Sequence, residues 1–304
     1  MKTVPRSPFL ELRALASLTH LRFTTQRRID GAYSGRHRSR QLGGAGEFVD
    51  FREYSPGDDL RRLDWKVLAR TGRSYLRLYQ DETNLTCTLF LDASGSMRFG
   101  GTKRGVDGPG SKLEYAQYFA TALSHVVAGG QDQVGLAIAS DRLRTLIPPG
   151  STPDHVARLQ EAIARCKTLP VTNLGESLRS LFVQLSRRGV LVLISDFLCD
   201  SLEAVFASVR LFRARHWEVV ALHLVHPGEE RLPVGSAFRF EGLEDDGQVD
   251  CSPLEISRAY DERFDAHCAA VRAMALACGC DYRRVSTATP YLQTLSGFLV
   301  ERVG

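Results

Sequence analysis

The chain has 304 residues, 43% of them hydrophobic and 24% charged, the balance of an ordinary globular protein, and its longest apolar runs (190–194 and 219–225) are too short to span a bilayer. Seven cysteines, at 87, 166, 199, 251, 268, 278 and 280, form no C-x-x-C pair, so their spacing offers neither a zinc site nor a disulfide framework and points to a reducing, cytoplasmic setting. The net charge of +4 is uneven: residues 1–84 hold 16 Lys and Arg against 10 Asp and Glu, and the remainder holds 23 against 25.

The first residues lack the apolar core of a signal peptide. Residues 9–24 place Leu10, Leu12, Leu15, Leu18 and Leu21 at helical spacing. Residues 26–46 are rich in Arg, Ser and Gly and read as an exposed basic loop. Either a solvated loop or a polyanion-binding one fits, although only Tyr33 interleaves an aromatic ring. The next block predicts a short strand over 47–54, a turn at 55–59, a short helix within 60–69 and a second strand at 75–80. Glu53, Asp58, Asp59, Arg61, Arg62 and Asp64 there read as a salt-bridged turn, with Trp65 as a buried anchor.

The run 85–91 is continuous in strand formers, as a strand buried on both faces requires. It ends in Asp92-Ala93-Ser94-Gly95-Ser96. A glycine-rich basic loop, 98–110, leads into a helix capped by Ser111, with Glu114 completing a capping box and Gly129 ending it. Strands at 133–139 and 143–147 and a helix at 153–165 follow. Thr172 then opens a helix whose inward face carries Leu174, Leu178, Leu181, Phe182 and Leu185. A second buried strand, 190–196, also ends in an aspartate, Asp196. Beyond it come a helix (201–215), a strand (217–225), a hairpin insertion within 227–253, a long helix (254–277), a strand (280–285) and a last helix (290–302). Strands alternating with helices predict an α/β fold with a doubly wound, mostly parallel sheet over 85–304, and a smaller β-rich N-terminal extension over 1–84.

A parallel sheet brings Asp92 and Asp196 to its carboxyl edge, where open α/β sheets bind their ligands. Two carboxylates with the hydroxyls of Ser94, Ser96 and Thr172 form an oxygen-only set suited to a hard cation such as Mg2+ or Mn2+. Taken alone, the Asp-Ser-Gly turn reads equally well as a polar turn without a ligand. Three enzyme signatures fail. Gly105 to Lys112 has the context of a phosphate loop but inverts its Lys-Ser order. An aspartyl-phosphate hydrolase wants a second acid where Ser94 stands. No G-x-S-x-G elbow surrounds Ser94 or Ser96.

With Asp92, Ser94, Ser96, Thr172 and Asp196 in this order and spacing, residues 85–226 resemble a von Willebrand factor A domain, a Rossmann-like fold. The resemblance implies that these five residues form a metal-ion-dependent adhesion site (MIDAS), in which Mg2+ is shared with a partner's acidic side chain. The stretches Gly43-Gly44-Ala45-Gly46-Glu47-Phe48, Arg52-Glu53-Tyr54-Ser55-Pro56-Gly57-Asp58-Asp59 and Asp64-Trp65 extend the resemblance to the bacterial "domain of unknown function 58" proteins. It implies a non-enzymatic adaptor working with a MoxR-type AAA+ ATPase, or with that ATPase's client, in chaperone-like maturation or assembly. The resemblance assigns no role to loop 98–110 or to the hairpin. Two other readings compete: a nucleic-acid-associated protein using the basic front, and a metal-dependent phosphohydrolase, for which no clear base is present.

Overall fold

A computed structural model describes residues 7–15, 23–24, 47–55, 63–80, 85–101, 110–185, 188–235, 237–244 and 247–303. The chain divides into two compact units, residues 27–85 and residues 1–26 together with 86–304. It opens with a helical turn, α1 (Leu12–Leu15), in the larger unit; of the helix expected over 9–24, residues 9–11 and 23–24 are not helical and residues 16–22 lie outside those described. The segment before residue 27 is tied to the far end of the sequence. Tyr291 donates to Glu11 at 2.8 Å, and Phe23 packs on Phe298 at 5.9 Å between ring centres.

The smaller unit pairs β1 (Glu47–Glu53) antiparallel with β2 (Tyr75–Gln80), with a register shift between Phe48 and Asp50. Between them lies α2 (Trp65–Thr71). Asp64 caps this helix, its carboxylate accepting from Lys66 N and Val67 N, and Gly72 ends it with φ +69°, a conformation glycine adopts without strain. Trp65 is not the buried anchor expected of it. Among the described residues of this unit Leu63, Asp64, Leu76 and Leu85 are buried, whereas Trp65, the first helical residue, is 62% exposed. The expected salt-bridged turn lies mostly on residues outside those described.

The larger unit is built on one six-stranded sheet in the order β10-β7-β6-β3-β4-β5. In chain order its elements are β3 (Thr86–Asp92), a 3-10 turn (Gly95–Arg98), α3 (Lys112–Gly129), β4 (Gln133–Ala139), β5 (Leu143–Gly150), α4 (Pro153–Arg165), α5 (Leu174–Gln184), β6 (Val190–Ser195), α6 (Leu202–Ala214), β7 (Glu218–Val225), α7 (Pro227–Glu230), β8 (Phe238–Glu241), β9 (Gln248–Cys251), α8 (Pro253–Ala277), β10 (Asp281–Ser286) and α9 (Tyr291–Val303). All neighbours in the sheet are parallel except β4 and β5. This is the doubly wound α/β architecture expected of the sequence.

The central strands are buried along their whole length: all seven residues of β3, six of β6 and eight of β7. Side chains alternate along a strand. Phe90, Leu191 and Leu193 therefore join one apolar layer with α5, α6 and α8, while α3 packs with α4 and α9. Helix α3 ends one residue later than expected: it runs through Gly129, and Gly130 N then donates to Val126 O and Val127 O. Among the described residues no helix is long and apolar enough to cross a membrane.

The topology decides where a ligand can bind. From β3 the chain moves to β4 and β5 on one side, then returns to lay β6, β7 and β10 on the other. In open α/β sheets ligands bind at the carboxyl ends of the strands where the order reverses, which here are those of β3 and β6.

Candidate metal centre at the carboxyl edge of the sheet

Asp92 is the last residue of β3, and Asp196 directly follows β6, the parallel neighbour of β3. Both side chains are buried. Asp92 Oδ1 accepts from Ser94 N at 2.9 Å, and Oδ2 accepts from Ser195 Oγ at 2.5 Å. The Ser94 and Ser96 hydroxyls lie 3.1 Å apart, hydrogen-bonded to each other. The turn is thus closed by its own side chains.

Thr172 arrives by a different route. Leu169 N donates to Ala93 O at 2.9 Å, Leu169 forms a parallel bridge with Ser94, and Asn173 N donates to Ser140 O at 2.7 Å. These bonds tie the loop before α5 to the ends of β3 and β4. Thr172 sits immediately before the helix cap Asn173, and its hydroxyl has no hydrogen-bond partner among the described residues. Asp92, Ser94 and Ser96 thus lie at the end of β3 and Asp196 at the end of its neighbour β6, with Thr172 in the loop bonded to the end of β3.

Around Asp196 the sequence reading missed the main feature. Lys112, the first residue of α3, is fully buried, and its ammonium donates to Asp196 Oδ2 at 2.6 Å and to Glu229. Glu229 is held in turn by α7: its Oε2 accepts from His226 N at 2.8 Å, closing a capping box in which His226 Nδ1 accepts from Gly228 N. Asp196 Oδ1 accepts from Leu198 N at 3.0 Å. Burial works against the ammonium, yet Asp196 and Glu229 together hold the Lys112 pKa above the ordinary lysine value. Lys112 had been expected only as the inverted end of a phosphate loop. The sequence signal was a lone Lys on the apolar first turn of a helix.

Among the described residues no cation pairs with Asp92 in this way. Burial and the neighbouring charge of Asp196 push its pKa up to about 7, against the bonds from Ser195 and Ser94 that favour its ionised form. Two buried aspartates, one neutralised by a lysine and one not, suit a cation bound on the Asp92 side. Among the described residues no three His, Cys, Asp or Glu side chains converge as a metal cluster. The set here has two carboxylates, and its other donors are hydroxyls, the composition hard cations accept. The residues therefore fit the ion.

Two histidines lie behind Asp196. His223 Nδ1 shares a 2.9 Å hydrogen bond with Tyr282 Oη, and its ring meets that of His267 edge to face. Burial, reinforced by His267, lowers the pKa of His223 to about 3, so it is a neutral ring within the core. The remaining element at the site is the hairpin of β8 and β9, from which Glu244 Oε1 accepts a hydrogen bond from Ser96 N at 3.0 Å.

Comparison with known proteins is informative at the level of family. A family model described as "Protein of unknown function DUF58" matches residues 50–273. Uncharacterized proteins of Mycobacterium tuberculosis and Mycobacterium bovis are 31% identical over 221 residues, 72% of this chain and 67% of theirs. Among solved structures, the conserved hypothetical protein BatB from Bacteroides thetaiotaomicron aligns at 15% identity with a TM-score of 0.48, over 72% of this chain and 99% of its own. A von Willebrand factor type A protein from Catenulispora acidiphila aligns at 13% identity with a TM-score of 0.44, over 76% of this chain and 44% of its own.

Proposed function

We propose that this chain, which belongs to the DUF58 family, is a non-enzymatic protein-interaction module that captures an acidic partner through a divalent cation. The observation that carries this reading is the surplus of buried negative charge at the carboxyl edge of the sheet. Asp92 and Asp196 are both buried there, and the one buried ammonium among the described residues, Lys112, bonds Asp196 and Glu229. A cation held by Asp92, Ser94, Ser96, Thr172 and Asp196 removes that surplus, and Mg2+ or Mn2+ matches the oxygen-only donors. When bound, the ion supplies a Lewis-acidic position that a partner's carboxylate completes.

The chain's own groups do the positioning. Ser195 and the Ser94 amide fix the Asp92 carboxylate, and Lys112 fixes that of Asp196. The non-enzymatic reading rests on the serine hydroxyls and on the rings of His226 and His223. The two hydroxyls bond each other, His226 Nδ1 is engaged with the Gly228 amide, and His223 Nδ1 with Tyr282. No general base is aimed at a nucleophile among these groups. The resemblance noted from the sequence makes a MoxR-type AAA+ ATPase, or its client, the partner to try first.

The test is capture of a purified MoxR-type ATPase by the full chain in Mg2+ and in EDTA. Capture in Mg2+ that EDTA abolishes, and that the double variant Ser94→Ala/Ser96→Ala lacks, is the expected outcome. Capture indifferent to both would end the metal-dependent reading.

A further inference from the structure

The β8–β9 hairpin is the part of the larger unit that the fold does not require. Its two strands make four residue pairs, their side chains are mostly exposed, and an exposed Arg239–Asp250 ion pair joins them. A two-stranded hairpin with so little burial is marginally stable by itself. Its connecting loop nevertheless makes close contact with the Asp92 turn. Glu244 Oε1 accepts from Ser96 N at 3.0 Å. A Cβ on Gly95 would lie 2.2 Å from Leu243 O and 2.9 Å from Glu244 Cγ. Gly95 is thus required by the approach of another backbone, a close contact that only a glycine permits.

We propose that Glu244 is a built-in acidic ligand of this site: the hairpin holds its carboxylate over the Asp92–Ser96 turn, where a partner's carboxylate enters, and a partner must displace it. This rests on the cation reading above and adds the regulation of the same site. The charges support it. Among the described residues three buried carboxylates, Asp92, Asp196 and Glu229, stand with one ammonium, Lys112, at this edge, and a cation bound beside Asp92 attracts the Glu244 carboxylate. The hairpin's scant burial makes its release inexpensive, so a partner offering an acid and further contacts can replace it.

The probe is Mn2+, added to the full-length chain as wild type, Glu244→Gln, Glu244→Asp and Asp92→Asn. Calorimetry reads affinity, water-proton relaxation reads access of solvent to the bound ion, and acetate serves as the competing carboxylate. Glu244→Gln should weaken Mn2+ binding about tenfold, raise the relaxation enhancement per bound ion, and let acetate suppress it at lower concentration than in wild type. Glu244→Asp should fall between the two. If Mn2+ binds wild type and is lost in Asp92→Asn, yet Glu244→Gln matches wild type in all three readings, the Glu244 proposal is overturned and the cation site stands. If wild type binds no Mn2+, both fall.

Discussion

Two buried clusters of charged side chains lie at opposite ends of the same sheet. At the amino end, Arg302 on α9 contacts Glu218, the first residue of β7, and lies 3.6 Å from Asp281 Oδ2, the first residue of β10. Arg283 adds a second cation on Asp281 at 3.3 Å, and Arg302 Nε donates to Thr24 O at 2.7 Å. Two guanidiniums thus face the carboxylates of Glu218 and Asp281, and Arg283 also pairs with the exposed Glu301 at 3.0 Å. At the carboxyl end, one ammonium, Lys112, serves Asp196 and Glu229, while no cation among the described residues pairs with Asp92. The amino-end cluster fastens helix, strands and N-terminal segment together. The carboxyl-end one is rich in hydroxyls and lies where the strand order reverses, the position at which open α/β sheets take their ligands.

The strongest way to break this comparison is to remove each cation in turn. Arg302→Met and Lys112→Met should each cost about 3–5 kcal/mol of stability in metal-free buffer, because each leaves buried carboxylates uncompensated. Millimolar Mg2+ should then recover part of the loss in Lys112→Met and none in Arg302→Met, read as denaturant midpoints. Equal recovery in both, or in neither, would erase the distinction between the clusters.

A second probe is pH. His223 is neutral in the fold with its pKa lowered to about 3, whereas in the unfolded chain it takes up a proton near its ordinary value of about 6.5. Between these values the unfolded state binds more protons, so stability is full above pH about 6.5 and falls on acidification towards pH about 3. The slope from this one group is up to about 1.4 kcal/mol per pH unit. His223→Gln should flatten that part of the stability profile, and an unchanged slope would show that the buried ring is not its source.

Smaller effects sharpen the contrast further. Asp92→Asn should leave metal-free stability equal to wild type or slightly higher, since it removes an uncompensated buried charge, while abolishing stabilisation by Mg2+. Trp65→Ala should shift stability by no more than about 0.5 kcal/mol, as befits an exposed side chain on α2. A larger loss would mark Trp65 as an anchor after all.

The sheet was legible because fully buried parallel strands are unbroken apolar runs; β3 and β6 each showed as one, and each led directly into an aspartate. The Ser111 cap of α3 was legible for a local reason, its hydroxyl accepting from Glu114 N three residues on. The partners of those aspartates were not. Lys112 is 84 residues from Asp196 and 117 from Glu229 in sequence, and a lysine on the first turn of an amphipathic helix looks the same whether it ends in water or against a carboxylate. Glu244 lies 148 residues from Ser96, in an insertion without periodicity. Trp65 was misread because size argued for burial, whereas its place after a buried helix cap turned it outward.

The most direct measurement is a calorimetric titration of Mg2+ into the wild-type chain and Asp92→Asn, with thermal unfolding followed on the same samples. The charge surplus at Asp92 predicts saturable binding and a raised Tm in wild type, and neither in the variant. The same response in both proteins would place the ion elsewhere and contradict the assignment of the carboxyl edge as the metal centre.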